Sequence, residues 1–217
     1  VTADLDNQAG YWDRIGPTKR FGHPVNLERL RRLLPLDRRI LDVGCGYGRV
    51  LEILQRAGYR DLVGVDPAPA MVAAARERLP GVVVGPMGPP ALPLPGASVD
   101  GVLLFTVLTC VVTDDGQRAI VREIERVLRP GGLLYISDLW IQTDPRNVAR
   151  YDAARERHGR YGVFELPEGV VLRHQDRAWI GELTARFEPV ALEDIVVETM
   201  NGHTARGFQW FGHTPGG

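Results

Sequence analysis

A chain of 217 residues with 44% apolar side chains is sized for one domain with a sizeable core. Its 26 Lys and Arg against 27 Asp and Glu leave a net charge of -1, which gives no global field to draw it onto nucleic acid or an anionic membrane. No apolar run approaches the ~18 residues of a membrane-spanning helix, the polar N-terminus lacks a signal-peptide core, and Cys45 and Cys110 lack metal-ligand or disulfide-framework spacing. A soluble, cytoplasmic protein without a bound metal is expected.

The chain opens with a polar segment dotted with aromatics, up to Pro24. Asn26 is placed to cap a short helix over Leu27–Leu34, which Pro35 ends. A first strand is predicted over Arg39–Val43, then a helix from Tyr47 to Ala57 that stops at Gly58. A second strand, Asp61–Val65, ends at Asp66-Pro67, and the helix after it turns Met71, Val72 and Ala75 inward. Val82–Val84 reads as a short third strand, and the five prolines between Gly85 and Gly96 allow only loop.

Gly101–Val107 is almost wholly apolar, as a strand covered on both faces must be. Asp114 is placed to cap an amphipathic helix with Ile120, Val121, Ile124, Val127 and Leu128 at helical spacing. Arg129–Gly132 reads as a turn and Leu133–Ser137 as a fifth strand. Alternating strands and helices point to a doubly wound parallel sheet. Asp144 and Pro145 begin a helix to about His158, Tyr161–Arg173 is a hairpin or an irregular loop, and Asp176 caps a helix carrying Trp179, Ile180, Leu183 and Phe187. Ala191–Thr199 and Ala205–Gly212 read as strands joined across Asn201-Gly202, a strong hairpin signal.

The most informative stretch is Ile40–Val50. An apolar strand ends in an acid, three glycines follow at alternate positions, and a helix begins. Bare N–H groups beside a helix N-terminus suit an anionic part of a ligand. The spacing is G-x-G-x-G, and Arg49 stands where a dinucleotide fingerprint needs its third glycine.

With those residues in place, the chain resembles the class I S-adenosylmethionine-dependent methyltransferases. Leu41-Asp42-Val43-Gly44-Cys45-Gly46-Tyr47-Gly48 is similar to the family's glycine motif, and Val63-Gly64-Val65-Asp66 to its acid-ended second strand. Leu92–Asp100 is similar to the lead into its fourth strand, and Val127–Leu133 to the turn before its fifth. The resemblance implies a Rossmann-like doubly wound α/β fold, mostly parallel with an antiparallel C-terminal strand and helices on both faces. It implies a single domain over 1–217, with an N-terminal cap (1–35), a cofactor-binding core (36–138), a lid or substrate insertion (139–190) and a C-terminal hairpin (191–217). S-adenosylmethionine is the implied cofactor.

On this reading Asp66 accepts hydrogen bonds from the ribose hydroxyls, or alternatively caps the following helix. Asp42 either holds the glycine loop or meets the methionine ammonium through water. Gly44, Cys45, Gly46 and Gly48 form the loop, Cys45 through small size and not as a nucleophile. Met71, Phe105 and Thr106 are expected beside the cofactor. Tyr11 packs over the cofactor tail or staples onto the core, as does Trp12. The acid that many relatives place after strand three is missing, so adenine falls to backbone groups and to Met87 or Leu92.

Methyl transfer needs a nucleophile held in line with the methyl group, and a base only if the acceptor loses a proton. His23 and His203 rank first as pocket-lining base candidates, and Asp138 ends a strand at the same edge. Tyr151, His158, Tyr161, Phe164 and His174 are candidates for the acceptor side, or form the lid's own core. Arg146, Arg150, Arg155, Arg157 and Arg160 alternate with acids and read as a solvated, ion-paired helix. The expected partner is a small-molecule methyl acceptor, such as a specialised metabolite, methylated on oxygen, nitrogen or sulfur. No membrane and no nucleic acid is expected, and a homodimer is admitted. The competing functions are an RNA or protein methyltransferase, a cofactor-binding protein without catalysis, and a nicotinamide oxidoreductase.

Overall fold

Apolar strands flanked by amphipathic helices bury themselves by stacking a sheet between two helical layers. The computed structural model describes residues 5–216. In chain order the elements are α1 (Ala9–Ile15), a 3-10 turn (Gly16–Thr18), α2 (Leu27–Leu33), β1 (Ile40–Val43), α3 (Arg49–Arg56), β2 (Leu62–Asp66), α4 (Pro69–Arg78), β3 (Val83–Pro86) and β4 (Val99–Phe105). There follow α5 (Asp114–Val127), β5 (Leu128–Leu139), α6 (Pro145–His158), β6 (Val163–Glu165), β7 (Val171–Arg173), α7 (Arg177–Leu183), β8 (Glu188–Glu198) and β9 (Thr204–His213).

Seven strands form one sheet in the order β3-β2-β1-β4-β5-β9-β8. β9 joins β5 antiparallel and β8 joins β9 antiparallel, while the other pairs are parallel. The doubly wound reading and the reversed C-terminal strand therefore both hold. Strand order turns back between β1 and β4, and open α/β sheets bind ligands at the carboxyl ends beside that point.

Alternation along the strands divides the core. Val102 and Leu104 of β4 face the side of α5 and α7, packing with Ile124, Val127 and Trp179. Leu103 and Phe105 face the side of α2, α3 and α4, packing with Leu30, Leu51 and Val72. Leu103 and Leu104 are both fully buried, so truncating either to Ala costs about 2–5 kcal/mol.

Several local expectations shift. α1 forms where only a polar segment was expected. It docks on α4, where Asp13 Oδ1 accepts from Ala70 N at 2.6 Å and serves a helix start whose own N-cap, Ala68, offers no side chain. α3 starts at Arg49, because Gly48 is left-handed with φ +83°. Thr113, not Asp114, caps α5, accepting from Gly116 N at 3.0 Å. Arg129–Gly132 lies within β5 as an excursion between the pairs Val99–Leu128 and Gly101–Leu133. Tyr161–Arg173 resolves into the β6–β7 hairpin, a small sheet of its own.

Candidate active site

The glycine loop follows from local sequence. Gly44, Gly46 and Gly48 have φ of +67°, +55° and +83°, in the left-handed region where a side chain is strained. A Cβ on Gly44 would stand 2.5 Å from Val107 Cγ2, and one on Gly48 2.8 Å from Leu79 Cδ1. A Cβ on Gly46 would meet only Met71 Cε, at 4.0 Å, so that glycine opens onto free space.

Asp66 ends β2 and fixes this loop from beside it. Its Oδ2 accepts from Gly46 N at 2.8 Å, and its Oδ1 from Ala68 N at 2.9 Å. Each oxygen keeps a further lone pair. Burial raises its pKa, against the pull of those two N–H groups. Asp42 is 1% exposed, and its Oδ2 has no hydrogen-bond partner among the described residues. Burial pushes its pKa up to about 8; the Arg49 guanidinium opposes that rise and Asp66 adds to it. An orphaned buried carboxylate oxygen is costly unless a donor arrives.

A cavity of about 1180 Å³ opens over this loop at the carboxyl edge of the sheet. Asp42, Gly44, Cys45, Gly46 and Asp66 form its floor. Met71, Met87, Phe105 and Thr106 continue the same wall. Thr106 is left-handed at φ 56°, rare for a threonine, and its N–H donates to Ser137 O at 2.8 Å. Leu92 does not join that wall; it is buried in the core on the α5 side. Gly48 lies behind the loop against α4.

Three segments far apart in the chain roof the cavity. Trp12 of α1, Phe164 of β6 and His203 of the β8–β9 turn all line it. Side chains lash these segments together. The Gln8 amide pairs with Val171 like a strand neighbour, donating to its O at 2.7 Å and accepting from its N at 2.8 Å. Lys19, the chain's single lysine, joins Glu168 at 3.2 Å and Asn201 Oδ1 at 2.7 Å.

The sequence-predicted histidines separate clearly. His23 lines the cavity, is 3% exposed, and shares a 2.9 Å hydrogen bond between Nδ1 and Ser137 Oγ. Burial, with Arg49 adding, pushes its pKa down to about 3. His203 lines the rim and is exposed. His174 lines the cavity from beside Phe164 and is also pushed down to about 3 by burial. His158 stands away from the cavity, bonded at 3.0 Å to Glu165 Oε1.

Tyr151 and Tyr161 do not reach the cavity surface. Tyr151 is fully buried, and Tyr161 meets it edge-on at 5.2 Å. Tyr11 is buried in the same cluster as Tyr151 and Phe164, away from the cavity surface, and its hydroxyl has no partner among the described residues. Asp138 is also inside the wall, where it accepts from Thr109 N at 3.1 Å and Leu139 N at 2.7 Å. Burial places its pKa at about 7. Burial likewise pushes the Cys45 thiol far up, which agrees with a small inert residue.

Arg49 and Arg150 both line the cavity, against expectation. In the sequence Arg49 reads only as a missing glycine. Arg150 reads as one of several solvated arginines, yet it sits one turn from the buried Asn147 and beside the buried Tyr151. That spacing was the available signal.

Comparison with known proteins agrees with this geometry. A methyltransferase domain family matches residues 41–136. An uncharacterised methyltransferase of Mycobacterium tuberculosis is 35% identical over 199 residues, spanning 88% of this chain and 76% of that protein. A ubiquinone biosynthesis O-methyltransferase of Xylella fastidiosa is 32% identical over 204 residues, spanning 86% and 76%. The chain belongs to the class I S-adenosylmethionine-dependent methyltransferases. A solved methyltransferase of Methanosarcina mazei has the same fold, with a TM-score of 0.82 at 22% identity, covering 87% of this chain and 98% of the other.

This methyltransferase also passes a test of fit for its cofactor. The unpartnered Asp42 Oδ2 wants a donor, the space above Gly46 is open, and Asp66 has lone pairs to spare at the cavity floor. S-adenosylmethionine offers an ammonium, a slender tail and two ribose hydroxyls. Among the described residues, no helix is long and apolar enough to cross a membrane.

Proposed function

We propose that this enzyme methylates a small molecule, preferentially on oxygen, within the roofed cavity. The carrying observation is the enclosure itself. About 1180 Å³ lies between the glycine loop and a roof of three lashed segments, room for the cofactor and one compact acceptor. The O-methyltransferase of Xylella fastidiosa, similar over most of both chains, supports oxygen as the acceptor atom.

In this reading Asp66 holds the ribose hydroxyls and Asp42 faces the methionine ammonium. Met87 packs on the adenine, and its own N–H is already taken by Asp66 O at 3.2 Å. The cofactor supplies a methyl carbon activated by a sulfonium. The protein's contribution is then mainly to hold the acceptor atom in line, with water excluded. Phe105 and the strained Thr106 set the wall against which that alignment is made. A ring pushed to a pKa of about 3 is a poor base at neutral pH. His23 therefore positions through its Ser137 bond, and His203, on the hairpin tip, takes the acceptor's proton.

Methyl-labelled S-adenosylmethionine incubated with the enzyme and a cell extract tests this. Label in the low-molecular-weight fraction is expected, and label confined to protein or RNA would overturn it. His203→Ala should lower kcat more than His23→Ala if the roles are as assigned.

A further inference from the structure

Two charged groups line the cavity. Asp42, Arg49 and Asp66 stand at the glycine loop, and Arg146 and Arg150 of α6 line it together with His174, just after β7. Neighbouring arginines already hold carboxylates: Arg157 has Glu165, Arg160 and Arg173 have Asp114, and Arg177 has Asp194. Among the described residues, Arg146 and Arg150 make no direct ion pair, although the exposed Asp144 acts on both at longer range. Of the cavity's own acids on this side, Glu165 is engaged by Arg157 and His158, and Glu168 by Lys19.

Arg150 is placed with care. Its Cζ lies 3.5 Å from the Phe164 ring centroid and 5.8 Å from that of Tyr151, and among the described residues its buried Nε has no hydrogen-bond partner. One of its N–H groups is shared with the Tyr151 hydroxyl. A guanidinium resting on an aromatic face and tied to a phenol is restrained in orientation, and its remaining N–H groups are left for a carboxylate.

His174 adds a second donor. The Tyr151 hydroxyl oxygen accepts from Gln142 N at 3.2 Å and also meets His174 Nδ1. Among the described residues the hydroxyl proton has no other acceptor, so it goes to Nδ1. The ring is neutral at physiological pH. Its own proton then sits on Nε2, which has no partner among the described residues. Arg150 and His174 both donate and neither accepts. Tyr151 acts through them as a positioning residue.

We propose that Arg150 and His174 form an acceptor-anchoring site for a carboxylate, so that the substrates of this enzyme are small acids with an apolar or aromatic body. This rests on the small-acceptor reading above. A carboxylate anchored by α6 and the residue after β7 leaves the rest of the molecule to reach the glycine loop, where the methyl group is delivered.

The test titrates the protein, saturated with S-adenosylhomocysteine, with benzoate and with its neutral isostere benzamide, by calorimetry. Benzoate should bind at millimolar concentration and at least about tenfold tighter than benzamide, the factor of a charged hydrogen bond. R150Q should abolish that preference, and R150K, which keeps charge but not the fork, should retain only part of it. Both variants should keep wild-type affinity for S-adenosylhomocysteine. Benzoate binding no tighter than benzamide, or equally well to R150Q, would overturn the proposal. So would R150K and R150Q losing S-adenosylhomocysteine affinity, since Arg150 would then belong to the cofactor. Wild-type protein that fails to bind S-adenosylhomocysteine at all would instead remove the methyltransferase reading beneath it.

Discussion

The floor and the roof of the cavity are built by different rules. The floor, from Asp42 to Asp66, is one β-α-β unit in which backbone groups and two acids do the work. The roof is gathered from α1, the α6–β7 segment and the β8–β9 turn, whose contacts span more than a hundred residues. A floor made of backbone tolerates almost no side-chain change. A roof made of individually weak ties can lose one member and persist.

That contrast sets the order of expected effects. Gly44→Ala should be the most damaging. It forces a left-handed alanine, about 1–2 kcal/mol, and drives a methyl group into Val107, about 1–3 kcal/mol more. A melting curve should show the loss, and near-wild-type stability would mean that the loop relaxes freely. Asp66→Ala comes next. It strands Gly46 N–H and Ala68 N–H and removes the proposed ribose acceptor. S-adenosylhomocysteine affinity should fall by about 1–3 kcal/mol, and unchanged binding by calorimetry would remove Asp66 from the cofactor site.

Asp42 gives a proton-linked effect of smaller size. Its folded pKa is raised from 3.8 to about 8, so the ligand-free folded chain holds a proton that the unfolded chain has released. Its contribution to stability is full below the unfolded value and is lost as pH rises through the folded one. On the proposed reading, a cofactor ammonium beside Asp42 restores the anion. Binding near neutral pH should therefore release a proton, and affinity should rise with pH up to about 8. Calorimetry in buffers of different ionisation enthalpy reads the proton directly. Asp42→Asn should abolish that release, and a release that survives the substitution would assign the proton elsewhere. The smallest effect belongs to the roof. Lys19→Ala breaks two partly exposed ties, to Glu168 and to Asn201, of which the ion pair is worth about 0.2–1 kcal/mol. Hydrogen exchange should quicken at 166–170 and 199–203 with little change in melting temperature. A large fall in stability would show that the roof is as cooperative as the floor.

The histidines show where sequence reading stops. His23 and His203 both line the cavity, but only burial, Ser137 and Arg49 separate a depressed, restrained ring from an exposed one. Tyr151 and Arg150 are adjacent in sequence and fare oppositely. The expected contact residue is fully buried, while the arginine read as solvated faces the cavity. Helical spacing sets the two about 100° apart on α6 and does not say which of those directions faces the cavity. The packing of β6 beneath them decides which one reaches the surface.

By itself, the sequence determined the parallel sheet, its reversed C-terminal strand, the glycine turn and the acid ending β2. Each of these is a local consequence of period, glycine conformation or hairpin chemistry. Only the tertiary structure decided what the cavity roof contains. Roof residues meet through contacts between distant segments, and no periodicity along the chain records which of them will face one another.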